Sequence, residues 1–330
     1  MSRFKSCWRA PFIALALVAA MCATALASSP GTGPKAHAAL DQVNVAAFPV
    51  STQLMLPYIA SDRAYFKKAG LSVKVTTFTA GNVVSELPLV LNGTINIGVG
   101  NVSDYLPLIA GGAPIVIIPG GGTVTDAAKV SSNVIVSKNP AIKSPKDLVG
   151  KTVALNSVGG LTQIYTALQV KKDGGDPTKV NFVRLSVASI PAALDSGQID
   201  AGQSQEPIMW PAIKKYGLHV VDSIGDGVAV GLPQVAYFTS KTWAASHAAE
   251  IKLFQKAIEQ SARAAKNRSY MRYIVSEYST FAKGSATVIK NFGTFTDQLT
   301  PKLIQRVARL LQLNGAVGRL PTYKSYIFGA

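Results

Sequence analysis

Serine, threonine, asparagine, glutamine and glycine recur in six short segments, each after a β-rich run and before residues of helical period. Three lie in the first part of the chain, Phe48 to Gln53, Thr79 to Asn82 and Gly100 to Ser103. Three follow later, Asn156 to Thr162, Ser186 to Ser189 and Gln203 to Glu206. At such places hydroxyls and amides join the free backbone N–H groups and the positive dipole end of the next helix, a donor set that holds an anion without a lysine. The candidate ligand contacts are Phe48, Ser51 and Gln53, then Gly81 and Asn82, then Asn101 and Ser103. In the later segments they are Ser157, Gly159, Gly160 and Thr162, then Ser189, Gln205 and Glu206. The two glycines of Ser157 to Thr162 let the backbone approach a ligand closely. Asn101 and Ser103 are equally suited to cap a helix. Glu206, the one acid in these segments, is a hydrogen-bond acceptor for a ligand amine or else helps start a helix at Pro207. Phe48 and Trp210 stack on a planar ligand or belong to the core, and Arg184 reaches the cleft or the surface.

Catalytic groups are scarce. The histidines are His37, His219 and His247, none in these segments and none with an acid or cysteine partner at metal-ligand spacing, so no metal site and no cofactor are expected. The cysteines, Cys7 and Cys22, both fall in the N-terminal leader, which removes thiolate chemistry from the rest of the chain. Gly120 to Gly122 lacks the lysine and hydroxyl residue of a nucleotide loop and reads as a hinge or loop. No catalytic residue is assigned.

The elements that must position these segments alternate. β-Rich runs at Val43 to Ala47, Leu71 to Phe78 and Ile95 to Val99 are separated by helical periods at Gln53 to Lys68 and Val83 to Leu91. A second series has strands at Thr152 to Leu155, Val180 to Leu185 and Ile199 to Gln203 around helices at Leu161 to Lys172 and Ile190 to Ser196. Both series are βαβ patterns. Gly93, Ile95, Asn96 and Gly98 are echoed by Gly197, Ile199, Asp200 and Gly202, each copy placing glycine at a helix C-terminus before a strand. A further strand is predicted at Gln234 to Thr239. Beyond it Ile251, Phe254, Ile258 and Ala262 share one helix face, and Thr300 with Pro301 starts another helix carrying Leu303, Val307 and Leu310.

Arg3, Lys5 and Arg9 precede an apolar run from Pro11 to Met21 and the small residues Ala25 to Ala27, the pattern of a secretory signal peptide cleaved after Ala27 or Ala38. Met21 before Cys22 is too bulky for a lipid-attachment site, so no lipid anchor is expected. The formal net charge of +16 becomes +13 without the three leader cations. Its basic residues are scattered and not interleaved with aromatics in a stripe, which argues against nucleic acid as partner and for solubility and attraction of anionic solutes. Roughly 290 residues remain, more than one core usually serves.

Leu56 to Leu71 (LPYIASDRAYFKKAGL), Ser144 to Leu155 (SPKDLVGKTVAL) and Ala193 to Pro207 (ALDSGQIDAGQSQEP) resemble, in order and spacing, segments of the periplasmic binding proteins of nitrate, taurine, alkanesulfonate and thiamine-precursor pyrimidine importers. The resemblance covers most of Gln42 to Asp222. It departs at Asn96, where the family has Asp, and at Ala64, where it prefers Gly. A pyrimidine synthase of the same fold class carries an added cysteine-rich motif that this chain lacks. The resemblance implies an α/β, type II periplasmic-binding-protein fold of two βαβ lobes joined by a two-segment hinge, with crossings near Ile117 to Lys138 and Val228 to Tyr237. The expected organisation is a signal peptide over 1–27, a flexible leader over 28–40, the first part of lobe 1 over 41–125, lobe 2 over 126–233, and the hinge return with lobe 1 helices over 234–330. The implied function is that of a monomeric extracytoplasmic component of an ABC importer, partnered by a membrane permease and trapping a small polar solute. A sulfonate, nitrate or similar organic anion is preferred. A pyrimidine or other planar heterocycle, or a ligand-sensing module of the same fold, is the alternative.

Overall fold

The computed structural model describes residues 42–78, 83–125, 132–224, 230–279 and 286–330. Its strands are β1 (Val43–Ala47), β2 (Val73–Thr77), β3 (Gly98–Asn101), β4 (Ile115–Val124), β5 (Asn133–Ser137), β6 (Thr152–Leu155), β7 (Asn181–Arg184), β8 (Ala201–Gln205), β9 (His219–Ser223), β10 (Pro233–Ser240) and β11 (Thr294–Leu299). The helices are α1 (Leu56–Asp62), α2 (Tyr65–Lys68), α3 (Val83–Leu91), α4 (Val102–Ala110), α5 (Leu161–Lys172), α6 (Ile190–Asp195), α7 (Met209–Tyr216), α8 (Lys241–Ser246), α9 (Ala248–Ala265), α10 (Arg268–Tyr278) and α11 (Pro301–Leu313).

Two sheets follow one plan. In the first, β1 runs parallel to β2 and touches the approach to β3 through a parallel bridge from Val45 to Ile97, and antiparallel pairing gives β3, β10, β4 and β11 side by side. In the second the order is β7, β6, β8, β5, β9, with β6 parallel to both neighbours and β5 antiparallel to β8 and β9. The strand that has just arrived from the other sheet, β10 in one case and β5 in the other, is inserted antiparallel between the third and fourth strands. The connecting segments lie together, since Thr125 donates its N–H to the Leu232 carbonyl at 2.8 Å and accepts from Gly231 at 2.9 Å. The strand interiors are near-continuous apolar runs because helices cover the sheets; Val134, Ile135 and Val136 of β5 are fully buried. Among the described residues no helix is long and apolar enough to cross a membrane.

Both glycines of the echo adopt the left-handed backbone expected of them, Gly93 at φ 81° and Gly197 at φ 73°. Three expectations change. The helix read from Gln53 to Lys68 is a 3-10 turn at Thr52–Leu54 followed by α1 and α2, broken at Ala64, whose φ of 55° is the left-handed conformation that a Cβ disfavours. Gly120 to Gly122 is neither loop nor hinge but part of β4. Its glycines admit close neighbours: a Cβ on Gly121 would lie 2.6 Å from the backbone of Ile258 in α9, and one on Gly122 would strike Leu299 and the Val235 carbonyl. In α11, capped by the Thr300 hydroxyl, the buried face is Ile304, Val307, Ala308 and Leu311, with Leu303 and Leu310 on its flanks.

The C-terminal residues complete the first sheet. Ile117 donates its N–H to the Tyr326 carbonyl at 2.8 Å and accepts from Phe328 at 2.9 Å, so the outer edge of β4 is covered by β11 along one half and by this tail along the other.

Candidate functional site

The C-terminal ends of the parallel strands of both sheets converge on a cleft of about 420 Å³. From the first sheet come Phe48 after β1, Ser51 and Gln53 on the turn leading to α1, Asn101 at the end of β3 and Asp104 in the first turn of α4. From the second come Asn156 after β6, Arg184 with the Ser186 to Ser189 turn after β7, and Gln205 at the end of β8. A smaller cavity of about 20 Å³ adjoins it, sharing Gln53, Asn101, Asn156 and Gln205 and adding Ser103, Ser157, Gly160 and Thr162. Ligands of open α/β sheets bind outside the carboxyl ends of strands, where this cleft lies.

The floor is a set of amides and hydroxyls already engaged with one another. Asn156 donates its N–H to Gln203 Oε1 at 3.1 Å, and Gln203 Nε2 donates to Asn133 Oδ1 at 3.1 Å. Gln53 Nε2 donates to the Ser132 hydroxyl at 2.9 Å, and the Ser186 and Ser189 hydroxyls lie 2.6 Å apart. Opposite stands an apolar wall that includes Leu54, Val99, Leu185 and Val235. The buried Phe48 ring stacks on Phe78 with centroids 5.5 Å apart, so its position is fixed by the core while its edge borders the cleft.

Asp104 is the acid of the site, and it joins the two lobes. Ser157 Oγ donates to Asp104 Oδ1 at 2.8 Å and Asn101 Nδ2 to Oδ2 at 3.2 Å, with Ser103 Oγ at 3.5 Å. Burial pushes its carboxyl above the usual range, against the pull of Ser157, Asn101 and the Arg184 guanidinium. Arg184 itself is exposed at the cleft rim. Sequence reasoning assigned no role to Asp104 because it lies one residue past the Gly100 to Ser103 segment, in the first turn of α4. The available signal was its position three residues after Asn101, the N-cap, where an acid turns back towards the cap.

Of the predicted contacts, Phe48, Ser51, Gln53, Asn101, Ser103, Ser157, Gly160, Thr162, Ser189 and Gln205 line one or both cavities. Gly81 and Asn82 lie outside the described residues. Gly159, at φ 84°, does not line either cavity and instead shapes the turn, donating its N–H to Gln163 Oε1 at 2.7 Å. Glu206 is fully buried and absent from both linings, and its backbone accepts from the Thr52 N–H and donates to the Ser132 carbonyl. The helix expected at Pro207 begins at Met209. Asn101 occupies the N-cap position of α4 without a side-chain cap bond, its amide being spent on Asp104. Trp210 lines a separate surface groove. His219 is held by the Ile142 carbonyl at 2.7 Å, and His247 stacks on Trp243.

The cleft therefore offers one guanidinium, one carboxylate and many neutral donors and acceptors around an apolar wall, a combination suited to holding a solute. Paired two-one-three-inserted-four sheets around such a cleft define the two-lobed periplasmic binding protein fold. Solved structures with this fold agree over most of the chain. The alkanesulfonate-binding protein SsuA from Xanthomonas axonopodis pv. citri, bound to MOPS, superposes with a TM-score of 0.68 at 17% identity, covering 86% of this chain and 96% of that one. The aliphatic sulphonate binding protein SsuA from Escherichia coli gives 0.65 at 18% identity over 88% and 98%. The nitrate-binding protein NrtA from Synechocystis PCC 6803 gives 0.67 at 13% identity over 86% and 84%. A search of curated proteins by sequence finds no match. The NMT1/THI5-like family model matches residues 51–269, and the chain belongs to that family.

Proposed function

We propose that the protein is the extracytoplasmic solute-binding component of an ABC importer, exported by its leader, monomeric, and handing a small organic anion to a membrane permease. The observation that carries this reading is the cleft walled by strand ends from both lobes, with Arg184 at its rim and an apolar wall beside an amide floor. Ligand sites of about 300 to 1,000 Å³ suit solutes larger than a simple oxyanion. A bare four-atom anion displaces on the order of two waters, ~60 Å³, and leaves most of the 420 Å³ unfilled. The anion is accordingly one with a carbon body, such as an alkanesulfonate, in preference to nitrate. A second reading, a pyrimidine or another planar heterocycle, is favoured by Asp104 and the amides of Asn101 and Asn156, which match ring N–H and carbonyl groups.

A thermal-shift screen of the protein without its leader against sulfonates, nitrate, aromatic carboxylates and pyrimidines tests both. A solute at a hundredfold excess over its Kd adds about 2.7 kcal/mol, which raises Tm by roughly 5–10 °C in a chain of this length. Arg184→Gln abolishes the shift for a sulfonate and spares that for a pyrimidine; Asp104→Asn does the reverse. Flat curves with every class would overturn solute capture and leave a partner-sensing module.

A further inference from the structure

A second concave surface of about 430 Å³, sharing no lining residue with the cleft, lies where α7 of the second lobe meets α10 and the segment before β11 of the first. Its cations come from both lobes: Lys214 on α7, Arg268 and Arg272 on α10, and Lys290. Lys214, Arg268 and Lys290 are exposed, and among the described residues none of the four meets a carboxylate at ion-pair distance. No acid lines the groove among the described residues. Its floor is apolar, formed by Trp210, Ile213 and Val288, the last of these 41% exposed.

Contacts between the lobes hold this surface together. The Lys290 ammonium sits 4.0 Å from the centre of the Trp210 ring, joining the first lobe to the second. Arg268 donates to the Lys290 carbonyl, fixing the segment that carries that lysine to α10. The Arg272 guanidinium lies 5.8 Å from the Phe292 ring centre. The cations are thus oriented around the floor by contacts that leave their charge uncompensated.

We propose that this groove is a docking site for an acidic peptide segment of a partner protein, its carboxylates meeting the four cations and its apolar side chains covering Trp210 and Val288. Charge complementarity selects the occupant. Unpaired cations around an apolar strip gain most from a chain that carries both carboxylates and aliphatic or aromatic side chains. A peptide enters a concave groove, whereas a planar bilayer meets its rim alone. Because the groove is built from both lobes, a partner seated in it contacts both at once.

The test uses the chain without its leader and a fluorescein-labelled, N-acetylated peptide of repeating Glu-Glu-Leu, read by fluorescence anisotropy at low and moderate salt. Saturable binding that weakens with salt is expected. Arg268→Gln with Arg272→Gln weakens it roughly tenfold, and Lys214→Glu, at an exposed position of α7 that takes no part in the Arg268 hydrogen bond, weakens it comparably with no change in Tm. Lys171→Gln with Lys172→Gln removes the same charge from α5, outside the groove, and leaves the affinity within about twofold. Equal weakening by the α5 pair would reduce the effect to net charge and overturn the site. So would vesicles of phosphatidylglycerol that bind through the groove residues while the peptide does not, since the occupant would then be a membrane surface.

Discussion

Glu206 and Glu86 carry carboxyls where the fold provides little to stabilise a charge. Glu206 is fully buried, and burial pushes its pKa to about 8 against the pull of the Lys290 and Trp210 backbone N–H groups. Glu86 accepts one bond, from the Val99 N–H at 3.1 Å, and burial pushes it to about 8 as well. A carboxyl raised in the folded state keeps its proton through a range in which the unfolded chain has lost it. Stability is therefore greatest below the ordinary carboxylate pKa and falls as pH rises towards 8. The melting temperature is expected to drop between pH 5 and pH 8, and Glu206→Gln to melt above the parent at pH 8 while converging with it at pH 5. Melting curves that stay parallel across this range would show that Glu206 does not take up the proton. The pair Glu206 and Asp104 also marks the limit of reading single residues from sequence. Both lie near strand ends, and the rule that ligands sit beyond those ends identifies the segments. It does not tell which side chain turns inward. Glu206 was the visible acid and is sealed in the interior; Asp104 was hidden in the first turn of α4 and faces the cleft.

Elements were legible where a period repeats and illegible where one residue departs from it. The strands β1, β2, β6 and β7 lie within or at the runs of β-branched residues, and α5 has the bounds read from its pattern. The apolar period from Gln53 to Lys68 is continuous, yet the backbone breaks at Ala64, since hydrophobic spacing carries no information on a single φ. A Cβ in the left-handed region costs about 1–2 kcal/mol, so Ala64→Gly is expected to raise stability by about 1 kcal/mol in urea unfolding, with no change in solute affinity. A neutral or destabilising result would mean that the Ala64 methyl recovers its strain elsewhere. The glycines of β4 misled for a related reason. Three in a row read as flexibility, whereas Gly121 and Gly122 are small because α9, β11 and β10 press against that strand.

At the scale of the molecule, the two βαβ series, their echo and the double crossing were all legible, because each is a statement about order along the chain. What order cannot convey is contact between the lobes. Ser157 reaches Asp104, and Thr52 reaches the Glu206 carbonyl, across the interface that hinge motion would open. A solute that bridges the same surfaces favours the closed arrangement by its differential affinity. Small-angle scattering is expected to give a smaller radius of gyration with the solute found by thermal shift than without it. An unchanged radius at saturation would mean that capture occurs in a cleft already closed.

The seam between β4 and the tail has a consequence for the order of assembly. The strands of the second sheet come from one continuous stretch, Asn133 to Ser223, but Ile117 has to wait for Ile327 before the outer edge of its sheet is satisfied. Until the ribosome has delivered those late residues, the strand at the heart of the first lobe keeps an open edge. The first-made half of that lobe therefore cannot complete its native pairing before its last-made residues arrive.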